Sequence, residues 1–163
     1  MNYSEKVEKW GVFEIALEGT SEGNPFTERE IRGTFCGKYE TVSVDGFYDG
    51  NGVYIVRFMP RFEGKYTFEI AGNYGGENVK GEFEVMPAAE RNHGPVHVAN
   101  TFHFAYEDGT PYYSIGTTCY VWELQSDEMI EKTLKTLENS AFNKIRFCIF
   151  PKHYDYNLLK LRT

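Results

Sequence analysis

Five side chains in the last third of the chain have types suited to holding a ligand: Tyr120, Trp122, Arg146, His153 and Tyr154. The rings of Tyr120, Trp122 and Tyr154 offer flat faces for stacking. His153 changes charge near neutral pH, and Arg146 presents a rigid fork of donors that matches a carboxylate. Two acids, Glu123 and Asp155, stand beside them, and a carboxylate pair can do acid–base work. Each residue also has a plain structural reading. Tyr120 and Trp122 can close a core, Arg146 can serve a structural ion pair, and a histidine in a loop is commonly just exposed. Elsewhere, His93 and His97 have the i, i+4 spacing of a helical metal pair, but Gly94 and Pro95 lie between them, and proline excludes an ordinary helix interior. Cys36, Cys119 and Cys148 form no CxxC pair, and the glycines mark turns rather than a phosphate loop. No metal and no cofactor are expected.

What must position the five residues is a β/α unit. Ser126 is placed to cap a helix over 126–139, with Asp127 and Glu128 at the positive end of its dipole. Met129, Ile130, Thr133, Leu134 and Leu137 recur at three- and four-residue spacing and give that helix one apolar face. Residues 144–150 (KIRFCIF) are apolar at nearly every position, as in a strand of a parallel sheet buried on both faces. With a strand over 112–117 they make a βαβ unit, and Tyr120, Trp122, His153 and Tyr154 then lie on one rim. By parity Ile145, Phe147 and Ile149 meet the helix while Arg146 points to the other side of the sheet, where burial demands a carboxylate or several carbonyls. No acid in the expected strands is placed to serve. Just upstream, Asp108-Gly109 between 102–106 and 112–115 signals a hairpin.

The first half alternates with period two over 12–17, 41–45, 53–59, 65–70 and 80–85, the pattern of half-buried strands. Its breaks are turn-formers, as in DGNG (49–52) and GNYGG (72–76). Short strands with regular turns predict a β-sandwich over 1–87. Tyr54 and Tyr66 share faces with Val56 and Phe68 and are expected in its core, which leaves Tyr48 and Tyr74, in turns, as freer rings. Proline, glycine and lost alternation mark 88–95 as a linker, with a second domain over 96–163.

The totals set limits. Among 163 residues, aromatics reach 17% and the net charge is −7, so a nucleic-acid role and a polybasic membrane patch are not expected. The first residues have no apolar core of a signal peptide, and no apolar run is long enough to span a bilayer. An odd number of distant cysteines reads as free thiols in a reducing compartment, which points to the cytoplasm.

Several segments carry a family resemblance. WGVFE (10–14), NPF (24–26), GFYDG (46–50) and RFMP (57–60) resemble an Ig-like domain of unknown function found directly before glycoside hydrolase barrels of the apiosidase-like type. GPV (94–96), DGTPY (108–112), GTTCYVW (116–122) and FNKIR (142–146) resemble the start of that barrel. The resemblance covers nearly the whole chain. It implies a mainly β chain, an N-terminal Ig-like β-sandwich followed by a hairpin and one β/α unit of an incomplete (β/α)8 barrel. A complete barrel needs roughly 250 residues. It also implies a plant or microbial polysaccharide as substrate, hydrolysed by two carboxylates on later strands, so that none of the catalytic pair lies in this sequence. Arg146 resembles an arginine that supports the nucleophile carboxylate, and Tyr120, Trp122, His153 and Tyr154 fall where such barrels contact sugar. Glu123 and Asp155 meet the separation such a pair needs only if adjacent strands set it, about 5–5.5 Å or 6.5–9.5 Å; the resemblance places the chemistry elsewhere. The ending of the chain, LLKLRT (158–163), departs from the family pattern and reads as truncated or frame-shifted. Exposed strand edges would favour a homo-oligomer through 102–163. The alternative is a non-catalytic carbohydrate-binding or orienting β module.

Overall fold

The computed structural model describes residues 2–149. The chain divides into two compact units, Met1–Pro111 and Tyr112–Thr163.

The first unit is built on two sheets. Strands β1 (Asn2–Tyr3), β3 (Phe13–Glu18), β6 (Phe47–Gly50) and β7 (Val53–Phe58) form an antiparallel sheet in the order β1-β3-β7-β6. Strands β2 (Lys6–Glu8), β4 (Ile31–Cys36), β5 (Thr41–Asp45), β8 (Gly64–Gly72) and β9 (Val79–Met86) form the other, in the order β2-β9-β8-β4-β5. Its pairs are antiparallel except β2 with β9. Alternation explains the core. Phe13, Ile15 and Leu17 of β3 and Tyr54, Val56 and Phe58 of β7 turn inward, and Phe35, Tyr66, Phe68, Ile70, Phe83 and Val85 meet them from the other sheet. Phe13 stacks on Phe83 at 4.2 Å and Phe35 on Phe58 at 4.3 Å, so aromatic pairs cross from sheet to sheet. Each buried aromatic of this kind stabilises by about 1.5–3 kcal/mol through burial alone. The outward positions carry cross-strand ion pairs, Glu14 with Arg57, Lys65 with Glu82 and Glu69 with Lys80, all exposed and each contributing about 0–1 kcal/mol.

Strands β1, β2, β4 and β6 extend the alternating set read from the sequence, and a one-turn helix, α1 (Pro25–Glu28), precedes β4. Segment 88–95 is tied down. Ala89 N donates to Glu8 Oε2 at 2.7 Å, and Asn92 Nδ2 to Lys9 O at 3.2 Å. Gly94, at φ +79°, leaves room for the Trp10 ring, which a Cβ would meet at 2.7 Å. The hairpin that follows differs from the expected one. It pairs β10 (Val96–Ala99) with β11 (His103–Tyr106) around Asn100 and Thr101, both left-handed at φ 48° and 69°. Asp108-Gly109 does turn the chain, with Tyr106 N donating to Thr110 O at 2.8 Å, but only an isolated bridge from Ala105 to Pro111 lies beyond it. Pro111 has no N–H with which to continue a ladder. This hairpin groups with the first unit.

The second unit contains β12 (Gly116–Thr118), a 3-10 turn (Trp122–Leu124), α2 (Asp127–Glu138) and β13 (Lys144–Arg146). β12 and β13 are parallel, with Thr117 opposite Ile145. Ser126 caps α2 by accepting from Met129 N at 3.4 Å. The strands are shorter than 112–117 and 144–150; the tail of the second expected strand, residue 150, lies outside the described residues. Asn143 starts β13: its Oδ1 accepts from Ile115 N at 3.0 Å and its Nδ2 donates to Tyr113 O at 2.8 Å. No described residue of this unit is buried. No helix among the described residues is long and apolar enough to cross a membrane.

Candidate functional site

The rim after β12 and β13 is held by backbone bonds that continue the pairing past the strands. Cys119 N donates to Arg146 O at 2.9 Å, and Cys148 N donates to Tyr120 O at 3.1 Å. These bonds set Tyr120 beside Arg146, whose guanidinium lies 5.7 Å from the Tyr120 ring centre, within cation–π range. Trp122 turns elsewhere and meets Phe147 edge-on at 6.1 Å. The structure therefore brings Tyr120 to Arg146 and sets Trp122 against the apolar residue after β13. Tyr120 is 42% exposed, which leaves ring surface open to a ligand.

Arg146 differs from the expectation of a buried side chain: it is exposed. Among the described residues no carboxylate lies in ion-pair contact with it. Strand parity buries a residue such as Arg146 only in a sheet covered on both faces, whereas a two-strand ladder leaves alternate positions in water. Among the described residues, two polar atoms of the adjacent turn are shut from water without a hydrogen-bond partner although their side chains are only half-buried, Trp122 Nε1 and Glu123 Oε2. A donor and an acceptor shut away without partners each cost about 1–3 kcal/mol. His153, Tyr154 and Asp155 lie outside the described residues.

In the first unit Tyr54 and Tyr66 are core residues, as their strand parity required. Tyr74 is not a free ring: it is 1% exposed, and its hydroxyl donates to the Glu77 carbonyl. Tyr48 is half-buried between Phe26 at 5.1 Å and Tyr54 at 5.0 Å. His93 pairs with Asp108 at 2.8 Å rather than acting with His97, which reaches Glu107 at 3.7 Å. Hydrogen bonds from the Thr110 amide and from His93 lower the Asp108 carboxyl to about 2. Among the described residues no three His, Cys, Asp or Glu side chains gather as a metal site would require.

The sequence reading missed a second aromatic pair, Tyr39 and Phe62, whose rings lie 5.4 Å apart on two different loops. Neither residue sits in an alternating run, so no periodicity pointed to it.

Residues 6–73 match a family described as Domain of unknown function (DUF5060). No curated protein matches the chain. Among solved structures, the fold is similar to the crystal structure of a putative glycoside hydrolase from Bacteroides vulgatus, with a TM-score of 0.85 and 40% identity. That likeness covers 93% of this chain and 30% of the other, so the present chain spans under a third of its solved relative. Together these likenesses support a glycoside-hydrolase-associated domain in a mainly β chain.

Proposed function

We propose that the chain comprises an Ig-like β-sandwich accompanying a glycoside hydrolase, followed by a hairpin and the first β/α unit of its (β/α)8 barrel. On this reading it does not hydrolyse plant or microbial polysaccharide by itself. The observation that carries the proposal is the second unit. It has the parallel β-α-β order of a barrel repeat, yet none of its described residues is buried. A parallel pair normally has both faces covered, so further chain must cover it in a working enzyme. The similarity to part of a longer protein supports the same reading.

In this proposal Tyr120, Trp122, Arg146, His153 and Tyr154 line one edge of a sugar subsite, and Arg146 waits for a carboxylate from a later strand. Glu123 is the remaining acid among the described rim residues. The test is turnover of aryl glycosides and polysaccharides by the 163-residue chain. No turnover is expected. Turnover abolished by Glu123→Gln would overturn the proposal, because the chain would then hold its own catalytic acid.

A second reading, a non-catalytic carbohydrate-binding or orienting module, is favoured by the self-contained core of the first unit.

A further inference from the structure

Tyr39 and Phe62 stand out from the other exposed aromatics of the first unit. Phe102 is 87% exposed and meets no other ring among the described residues. Phe26 touches Tyr48 edge-on, and Tyr48 in turn packs against the core residue Tyr54. Tyr39 and Phe62 instead meet each other and remain 63% and 38% exposed. Their contact does not remove either from water, so packing alone does not account for them.

The two loops that present them are fixed. Tyr39 lies in the tight turn after β4, closed by Gly37 N donating to Glu40 O at 2.9 Å. Phe62 lies between β7 and β8. Glu40 Oε1 joins the loops: it accepts from the Arg61 amide at 3.2 Å and from the Tyr66 hydroxyl at 2.7 Å. Tyr66 is anchored in the core, and burial, with the Glu40 hydrogen bond second, raises its pKa so that the phenol stays a donor. The rings are therefore preorganised, which lowers the entropic cost of binding.

Donors flank the rings. Lys38 Nζ lies 4.9 Å from the Tyr39 ring centre, and the Arg61 guanidinium, itself more than half exposed, reaches Glu107 at 3.4 Å. A sugar ring has the matching chemistry, with C–H faces for an aromatic surface and hydroxyls for charged donors and acceptors.

We propose that Tyr39 and Phe62 form a binding platform for a single soluble polysaccharide chain, with Lys38 and Arg61 contacting its hydroxyls. The two rings are tilted 55° to one another, so they do not form the single flat surface that would match the face of a crystalline polysaccharide. This assignment rests on the glycoside-hydrolase-associated reading and gives it a ligand-contacting surface remote in sequence from the rim residues.

The test is affinity electrophoresis of the full 163-residue chain through gels containing soluble xylan, mixed-linkage β-glucan, galactan or pectin, with crystalline cellulose pull-down alongside. The chain should be retarded by at least one soluble glycan and should leave cellulose unbound. Tyr39→Ala and Phe62→Ala should each weaken retardation about tenfold, roughly a 1.4 kcal/mol change. Tyr39→Leu should weaken it as much, because it keeps apolar surface and loses the flat face. Phe26→Ala should bind as the parent does. Both proposed residues are exposed, so thermal melting should stay within a few degrees of the parent and report any variant that misfolds. Retardation unchanged in Tyr39→Ala and Phe62→Ala, rescue by Tyr39→Leu, capture on cellulose only, or no retardation by any of the four glycans would each overturn the assignment. Rescue by Tyr39→Leu would point to a protein face docking there instead. None of these results bears on whether the second unit begins a barrel, which fails or stands on hydrolysis and on the coding sequence.

Discussion

Asp108 shows how one carboxylate can organise a turn. Its Oδ1 accepts from Thr110 N at 2.9 Å while Oδ2 meets His93 Nδ1 at 2.8 Å, so a single side chain ties segment 88–95 to the turn after β11. These bonds favour the ionised form and move the group from its ordinary 3.8 down to about 2. A depressed carboxylate value means that folding favours ionisation. The stabilising contribution is complete above the unfolded value and is lost as pH falls through the folded one. Asp108→Asn should therefore melt at a lower temperature than the parent at neutral pH. The gap should narrow between pH 3.8 and about 2 and close below that. Calorimetry across that range checks it, and a gap independent of pH would assign the residue's effect to shape rather than charge. Among the rim residues, the closeness of Tyr120 to Arg146 was not legible: parity turned Arg146 away from the rim, and the pairing of Cys119 N with Arg146 O past the end of β12 is what sets the two side by side. The exposure of Arg146 was not legible, because parity gives the face of a strand and not what covers that face.

The elements divide by how local their causes are. Strands β3, β7, β8 and β9 alternate over enough residues for period two to declare itself, and helix α2 carries both its cap and its apolar stripe. β4 was missed because Gly33 interrupts its inward face: a Cβ there would lie 2.8 Å from the Phe35 ring and from Val56 Cγ1, so the core itself requires the gap. The β10–β11 hairpin was missed because its turn uses Asn100 and Thr101 in the left-handed region, and threonine there gives no turn signal. Asp108-Gly109 gave the expected signal, but Pro111 stopped the ladder that should have followed. Asn143 stands within FNKIR (142–146), and its work is positional. Its side chain supplies bonds to Tyr113 and Ile115 that hold the start of the parallel pair, a role that only the register reveals.

At the scale of the whole molecule the two units differ in kind. The first closes a core of its own, with Phe13, Ile15, Phe35, Val56 and Ile70 fully shielded from water. The second leaves Phe142, Phe147 and Ile149 at 46%, 42% and 81% exposure. We propose that in isolation this surface drives self-association through residues 102–163. Light scattering should then give a mass that rises with concentration above that of the 18.8 kDa chain, and a constant monomer mass at high concentration would contradict it. The central claim, that these residues are one part of a glycoside hydrolase, meets its most direct test in the DNA that follows the codon for Thr163. The account predicts an open frame, in this register or a shifted one, encoding further β/α repeats with glutamates at strand ends. DNA with no such continuation would contradict it, and the binding or orienting reading would take its place.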